Sequence, residues 1–203
     1  MKRLPPLKRI AVLFGIALAL PITVGTTALA QSYPSGDWLD ETINWNSPDG
    51  VIPSPIDIGG NNLEQCALTI RPAALPEDQI VEAAGWTLTG AAQIYGGTTI
   101  VTSMSDTDGM CRPLGYQVFV FVGGDFAGTL SPIPMDSRTD GSLFQQDLYR
   151  EDFLAARFNR YSPEDPLCCA SGESRLFYEI EYQGDAAVLV PQFPADTVQG
   201  TER

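Results

Sequence analysis

The chain has 203 residues, with 12 basic and 25 acidic side chains, a formal net charge of −13 and no histidine. Without imidazole there is no Ser-His-Asp triad, no Cys-His pair and no histidine ligand for zinc or haem. Both lysines, Lys2 and Lys8, lie near the N-terminus, so a Schiff-base lysine in the rest of the chain is excluded too.

The first thirty residues, MKRLPPLKRIAVLFGIALALPITVGTTALA, have the parts of a secretory signal peptide. Lys2, Arg3, Lys8 and Arg9 form a basic start, IAVLFGIALAL is the apolar core, and Ala28-Leu29-Ala30 is a small-x-small cleavage site. That core is shorter than the roughly 20 residues a membrane span needs, so no stable membrane insertion is expected after cleavage. No cysteine follows the cleavage region to carry a lipid. Loss of the four basic residues would move the charge from −13 to −17. Such a field repels nucleic acid and anionic membrane surfaces. It leaves a protein, glycan or cation as the kind of partner to expect, in a secreted or periplasmic setting.

Residues 31–62 are rich in Pro, Gly, Asn, Asp and Ser, with the turn signals SPDG and GGNN. They read as a partly ordered arm that packs Trp38 and Trp45 onto a single β-rich domain over residues 63–195. LPEDQIVEAAG (75–85) is the best helix candidate. Pro76 suits the first helical position, Glu77 and Asp78 face the free N–H groups of the first turn, and Gly85 suits the C-terminus. The period then changes to two. Strands are expected at 85–96, 98–104, 116–124 and 125–132, the third being the most apolar run after the signal. The stretch 145–160 has a partial helical period, with Leu148, Phe153 and Ala156 near one face. The alternation at 157–161 and the surrounding sheet favour a strand. RLFYEIEYQ (175–183) alternates clearly, AAVLVPQF (186–193) adds a last strand, and 196–203 reads as a flexible tail. The expected class is α+β, a mainly antiparallel sheet domain with one short N-terminal helix, stapled by disulfides.

Four cysteines in an exported chain imply two disulfides. Zinc and redox readings are poor, because no C-x-x-C pair exists and no Lys or His lies nearby. A bond between the neighbours Cys168 and Cys169 would form a strained ring. Each of Cys66 and Cys111 is therefore expected to bond one of Cys168 and Cys169, in one of two assignments.

GYQVFVFVGGDFAGTLSP (115–132), then ARFNRYSPEDPLCCASG (156–172) and the RLFYEIEY strand, resemble the LppP/LprE family of exported bacterial proteins. The resemblance implies a hairpin with an aromatic–Gly-Thr motif at Phe126, Gly128 and Thr129. It also implies an Arg/Tyr strand, Arg157 and Tyr161, entering a turn at Asp165, Pro166, Cys168 and Cys169. Ala170 stands where a proline is expected, and the family's lipidated cysteine is missing. The resemblance implies an exported location and carries no activity or cofactor.

Three further constellations have chemical precedent. Asp106, Asp108 and Gly109 echo the start of a calcium loop without its later ligands. Glu179 and Glu181 share one strand face at a spacing that a glycosidase-like hydrolase would tolerate. Arg157, Arg160, Tyr161 and Tyr178 form a candidate binding patch in an otherwise acidic protein. The preferred reading is an exported, non-catalytic binding or structural domain without cofactor or metal. A carboxylate-dependent hydrolase and a calcium-binding envelope module are the alternatives.

Overall fold

The computed structural model describes residues 36–59 and 62–199, so the signal segment and its cleavage site lie outside the described residues. The chain forms two antiparallel sheets laid face to face, with one helix. After short 3-10 turns at Gly36–Asp40 and Ala67–Thr69 come α1 (Pro76–Ala83), β1 (Thr87–Leu88), β2 (Gln93–Tyr95), β3 (Thr98–Met104) and β4 (Asp106–Thr107). They are followed by β5 (Pro113–Leu114), β6 (Gln117–Val122), β7 (Asp125–Thr129), β8 (Leu143–Arg150) and β9 (Phe153–Arg160). The last two strands are long, β10 (Gly172–Gln183) and β11 (Ala186–Gln199). The first sheet has the order β1-β3-β6-β7, with β2 also on β3; the second has the order β11-β10-β9-β8; β4 and β5 form a small ribbon.

The fold is α+β dominated by antiparallel sheet, and the helix and most strand expectations hold; the strand expected at 85–96 is instead broken at residues 89–92 into β1 and β2, which pair separately with β3. The ambiguous 145–160 stretch is the hairpin of β8 and β9, where Leu148 faces Leu154 and Gln146 faces Ala156. Of the expected tail 196–203, residues 196–199 are paired, with Asp196 opposite Arg175 and Gln199 opposite Gly172, and 200–203 lie outside the described residues.

The apolar run of β6 is continuous because both of its faces are covered. Val118 and Val120 point into the sandwich with Ile100, Met104, Leu130, Leu154, Phe158, Leu176 and Leu189. Phe119 and Phe121 point the other way, into a second cluster with Val81 of α1, Trp86, Leu88 and Val101. The cover is anchored chemically. Asp78 lies in the first turn of α1, its carboxylate accepting 2.6 Å bonds from Arg71 and bonds from the Ala74 and Leu75 amides. That arrangement, first the Arg71 bonds and then the two amides, holds the carboxyl below its ordinary value, at about 2, against the upward push of burial. Trp86 Nε1 donates to Pro53 O at 2.7 Å, tying the arm to the same cover.

The arm also closes the sandwich. Trp38 meets Trp45 and Phe158 edge to face at 5.3 and 5.0 Å. The Asn46 amide bridges the two sheets, donating to Thr129 O of β7 and Leu189 O of β11 and accepting from Thr129 N. Gly128 admits it: at φ 147°, a Cβ there would stand 2.4 Å from the Asn46 amide carbon. The Gly-Thr pair singled out in the sequence is the socket for this arm residue.

The cysteine pairing differs from expectation. Cys66 bonds Cys111, with Cα atoms 5.2 Å apart, and Cys168 bonds Cys169. The reason lies in the topology. Cys66 starts the 3-10 turn on the cover of the first sheet. Cys111 is brought to it by a tight turn in which Asp108 accepts from the Met110 and Arg112 amides. The other two cysteines sit in the exposed β9–β10 connection of the second sheet. There Asp165 Oδ2 clasps the ends of the loop, accepting from Ser162 N at 2.7 Å and Ser171 N at 2.8 Å.

Candidate functional site

Three of the four sheet faces are packed, two against each other and one under α1 and the arm. The fourth, the outer face of the β8–β11 sheet, carries no helix or strand among the described residues. Strand register gives its composition, since directly opposed residues point the same way. One row across the four strands is Gln145, Arg157, Arg175 and Asp196; the next is Asp147, Ala155, Phe177 and Gln192. A third is Arg150, Phe153, Glu179 and Val190.

Aromatic rings run along this face. Phe153 stacks on Phe177 at 5.7 Å with planes 17° apart, and Tyr149 follows at 6.2 Å. Tyr149 is 55% exposed and Phe144 59%, while Phe153 and Phe177 are half-buried; what sets these rings apart from other exposed side chains is that they adjoin on one face, as a contiguous apolar patch. A β-bulge between Leu148 and Arg150 inserts Tyr149, a device that re-aims a side chain at a sheet edge.

A polar network lies beside the rings. Arg157 donates to Gln145 Oε1 at 2.6 Å, lies 4.9 Å over the Phe144 ring and stands 3.6 Å from Glu173. Gln145 in turn donates to Asp147 at 2.7 Å. Arg150 lies 5.3 Å over Phe153 and pairs with Asp152. The network fixes these side chains before anything binds, which reduces the entropy lost on binding.

Of the four residues expected to form a patch, only Arg157 stands on this face. Arg160 is on the opposite side of β9 by alternation and pairs with Asp40 at 2.8 Å and Asp140 at 3.1 Å. Its guanidinium holds the Asp40 carboxyl below the ordinary value. Tyr161 donates to Leu167 O within its own loop, and burial raises its hydroxyl pKa. Tyr178 is fully buried between the sheets and donates to Leu130 O at 2.5 Å, with its pKa pushed well up by burial. Charged and aromatic type alone grouped these four; the period-two alternation of β9 and β10 separates them. The residues missed, Phe144, Tyr149, Phe153, Arg175 and Phe177, had one local signal. Phe177 shares a face with Glu179 and Glu181, where a purely solvated strand would carry no ring.

Glu179 and Glu181 stand exposed on this open sheet. A cleft of about 190 Å³ lies elsewhere, lined among others by Trp45, Asn46, Val51, Phe126, Gly128 and Thr129, and it has no carboxylate in its lining. Asp106 Oδ1 accepts from Thr107 N and Asn62 N, and Asp108 is engaged by Arg112. Asp106 thus ties β4 to the arm, and Asp108 closes the turn after it. Among the described residues no group of three His, Cys, Asp or Glu gathers at metal-binding distance, and no helix is long and apolar enough to cross a membrane.

No curated protein and no solved structure matches the chain. Over residues 96–183, which span β3 to β10, the chain matches the LppP/LprE lipoprotein family, a match that supports a secreted or periplasmic location.

Proposed function

We propose that this exported protein is a non-catalytic binding domain that recognises a glycan on the outer face of its β8–β11 sheet. The observation that carries the reading is the row Tyr149–Phe153–Phe177, left uncovered and flanked by the pinned side chains of Gln145, Asp147 and Arg157. Pyranose rings have an apolar C–H face and an equatorial rim of hydroxyls. Ring faces with negative quadrupole attract the C–H side, and planar amide, carboxylate and guanidinium groups pair with the hydroxyls. An open sheet suits a chain that passes across it, whereas cleavage would require two opposed acids in a concave site.

Affinity electrophoresis through gels containing neutral or acidic polysaccharides tests the reading. The expected result is retardation by at least one polysaccharide, abolished in Tyr149→Ala and Phe177→Ala. Free migration through every gel, or retardation unchanged by both substitutions, would overturn it.

A further inference from the structure

Arg157 and Arg175 are direct cross-strand partners on the open face. Side chains so opposed start about 5 Å apart at Cβ, and like charges there repel. The juxtaposition is unusual for this chain, which has eight arginines and no lysine beyond residue 30. The two guanidiniums are not equally neutralised. Arg157 has Glu173 at 3.6 Å. Arg175 is exposed and has no acid within ion-pair distance among the described residues, although Asp196 is its register neighbour on β11. A donor fork with no acceptor, beside a second fork already held in place, is a seat for an anion.

We infer that Arg175, with Arg157, binds the carboxylate of a uronic acid, so that the ligand of the open face is an acidic glycan. This rests on the glycan reading above and adds its specificity. Two features select a sugar carboxylate over a phosphate group. Phe177 follows the Arg row by one register step, so a pyranose ring lying on it can direct its carboxyl substituent at the Arg pair. The exported protein's charge, −17 once the signal segment is lost, also opposes a doubly charged group more than a singly charged one. At physiological salt the screening length is about 8 Å, so acids away from this face are muted, while Glu173 and Asp196 beside the two guanidiniums are the acids a sugar carboxylate has to compete with.

The test uses the secreted full chain with polygalacturonate and with its methyl ester, which keeps the sugar backbone and removes the charge. Wild type is expected to bind the acid form about tenfold more tightly than the ester, the scale of one charge-assisted contact. Arg175→Gln should remove that preference and leave ester binding within about twofold. Arg157→Gln provides a second variant, expected to lower binding of both forms because it also releases Gln145. Equal binding of acid and ester by wild type, unchanged in Arg175→Gln, would overturn the carboxylate seat while the glycan face stands. No binding of either polymer overturns the uronate assignment, and the wider polysaccharide panel then decides the fate of the face.

Discussion

Two faces of this sandwich carry aromatic rows of similar make-up, and their surroundings give them opposite roles. On the first sheet, Trp86, Phe119, Phe121 and Phe126 contact one another at 5.3–6.2 Å beneath α1 and the arm. On the second, Tyr149, Phe153 and Phe177 follow one another at comparable distances, with no helix or strand above them among the described residues. The first row is core and the second is surface, although neither ring type nor spacing distinguishes them. What differs is the cover: α1, pinned by the Arg71–Asp78 ion pair, and the arm around Ile52 and Pro53 lie over the first row. Aromatic content therefore marks a binding face only after the pieces that could bury it have been placed.

The sharpest way to break this comparison is to truncate one ring from each row. Phe119→Ala is expected to cost about 4 kcal/mol, as for a fully buried phenylalanine, and Phe177→Ala about 1 kcal/mol or less. Urea denaturation reads both, and equal losses would erase the distinction. Next in size is the disulfide that ties Cys66 to the β4–β5 ribbon. Cys66–Cys111 closes a separation of 45 residues, for which chain entropy gives roughly 3–4 kcal/mol. The Cys168–Cys169 bond has a separation of 1 and constrains the unfolded chain very little. Replacing the first pair by alanine should lower the urea midpoint strongly, and replacing the second should leave it nearly unmoved. Alkylation and mass mapping after mild reduction should label the exposed 168–169 pair before Cys66, which is buried.

Asn46→Ala should cost about 2 kcal/mol, because three bonds to strand backbone are lost at once. The cover also has an acid limit. The Asp78 carboxyl titrates near 2 in the folded protein against an ordinary 3.8. It therefore stabilises folding by about 2 kcal/mol above its unfolded value, a contribution lost as the pH falls from about 4 to about 2. Asp78→Asn should flatten the stability profile in that window, and a profile identical to wild type would remove Asp78 from the anchor.

Much of the sheet was readable from the chain because burial leaves a pattern. RLFYEIEY alternates because one of its faces meets the core, whereas YQVFVFV does not because both faces do. The helix was readable from Pro76 and the acids that follow it. The arm was harder. Its two tryptophans mark it as packed onto the domain, but nothing in its turn-rich composition tells that they enter the core between the sheets, and nothing local marks Asn46 among its polar neighbours. Cysteine pairing was misjudged because a bond between adjacent residues is normally discounted, and because the partner of Cys66 is chosen by a turn around Asp108 that forms only in three dimensions. The patch failed for a simpler reason: residues close in sequence on a strand look in opposite directions, and Tyr178 lies on the inward side.

The Asn46 bridge has a further consequence at the corner where β7 and β11 meet. Each is the last strand of its sheet, and a last strand normally offers its spare amides and carbonyls to any other extended chain. Here one side-chain amide occupies Thr129 N, Thr129 O and Leu189 O together. Pro191 lacks an N–H farther along β11, and Pro194 lies where the register with β10 shifts. Outside the cytoplasm, where neighbouring copies and unfolded fragments supply such strands, this corner gives fibril-type growth little purchase.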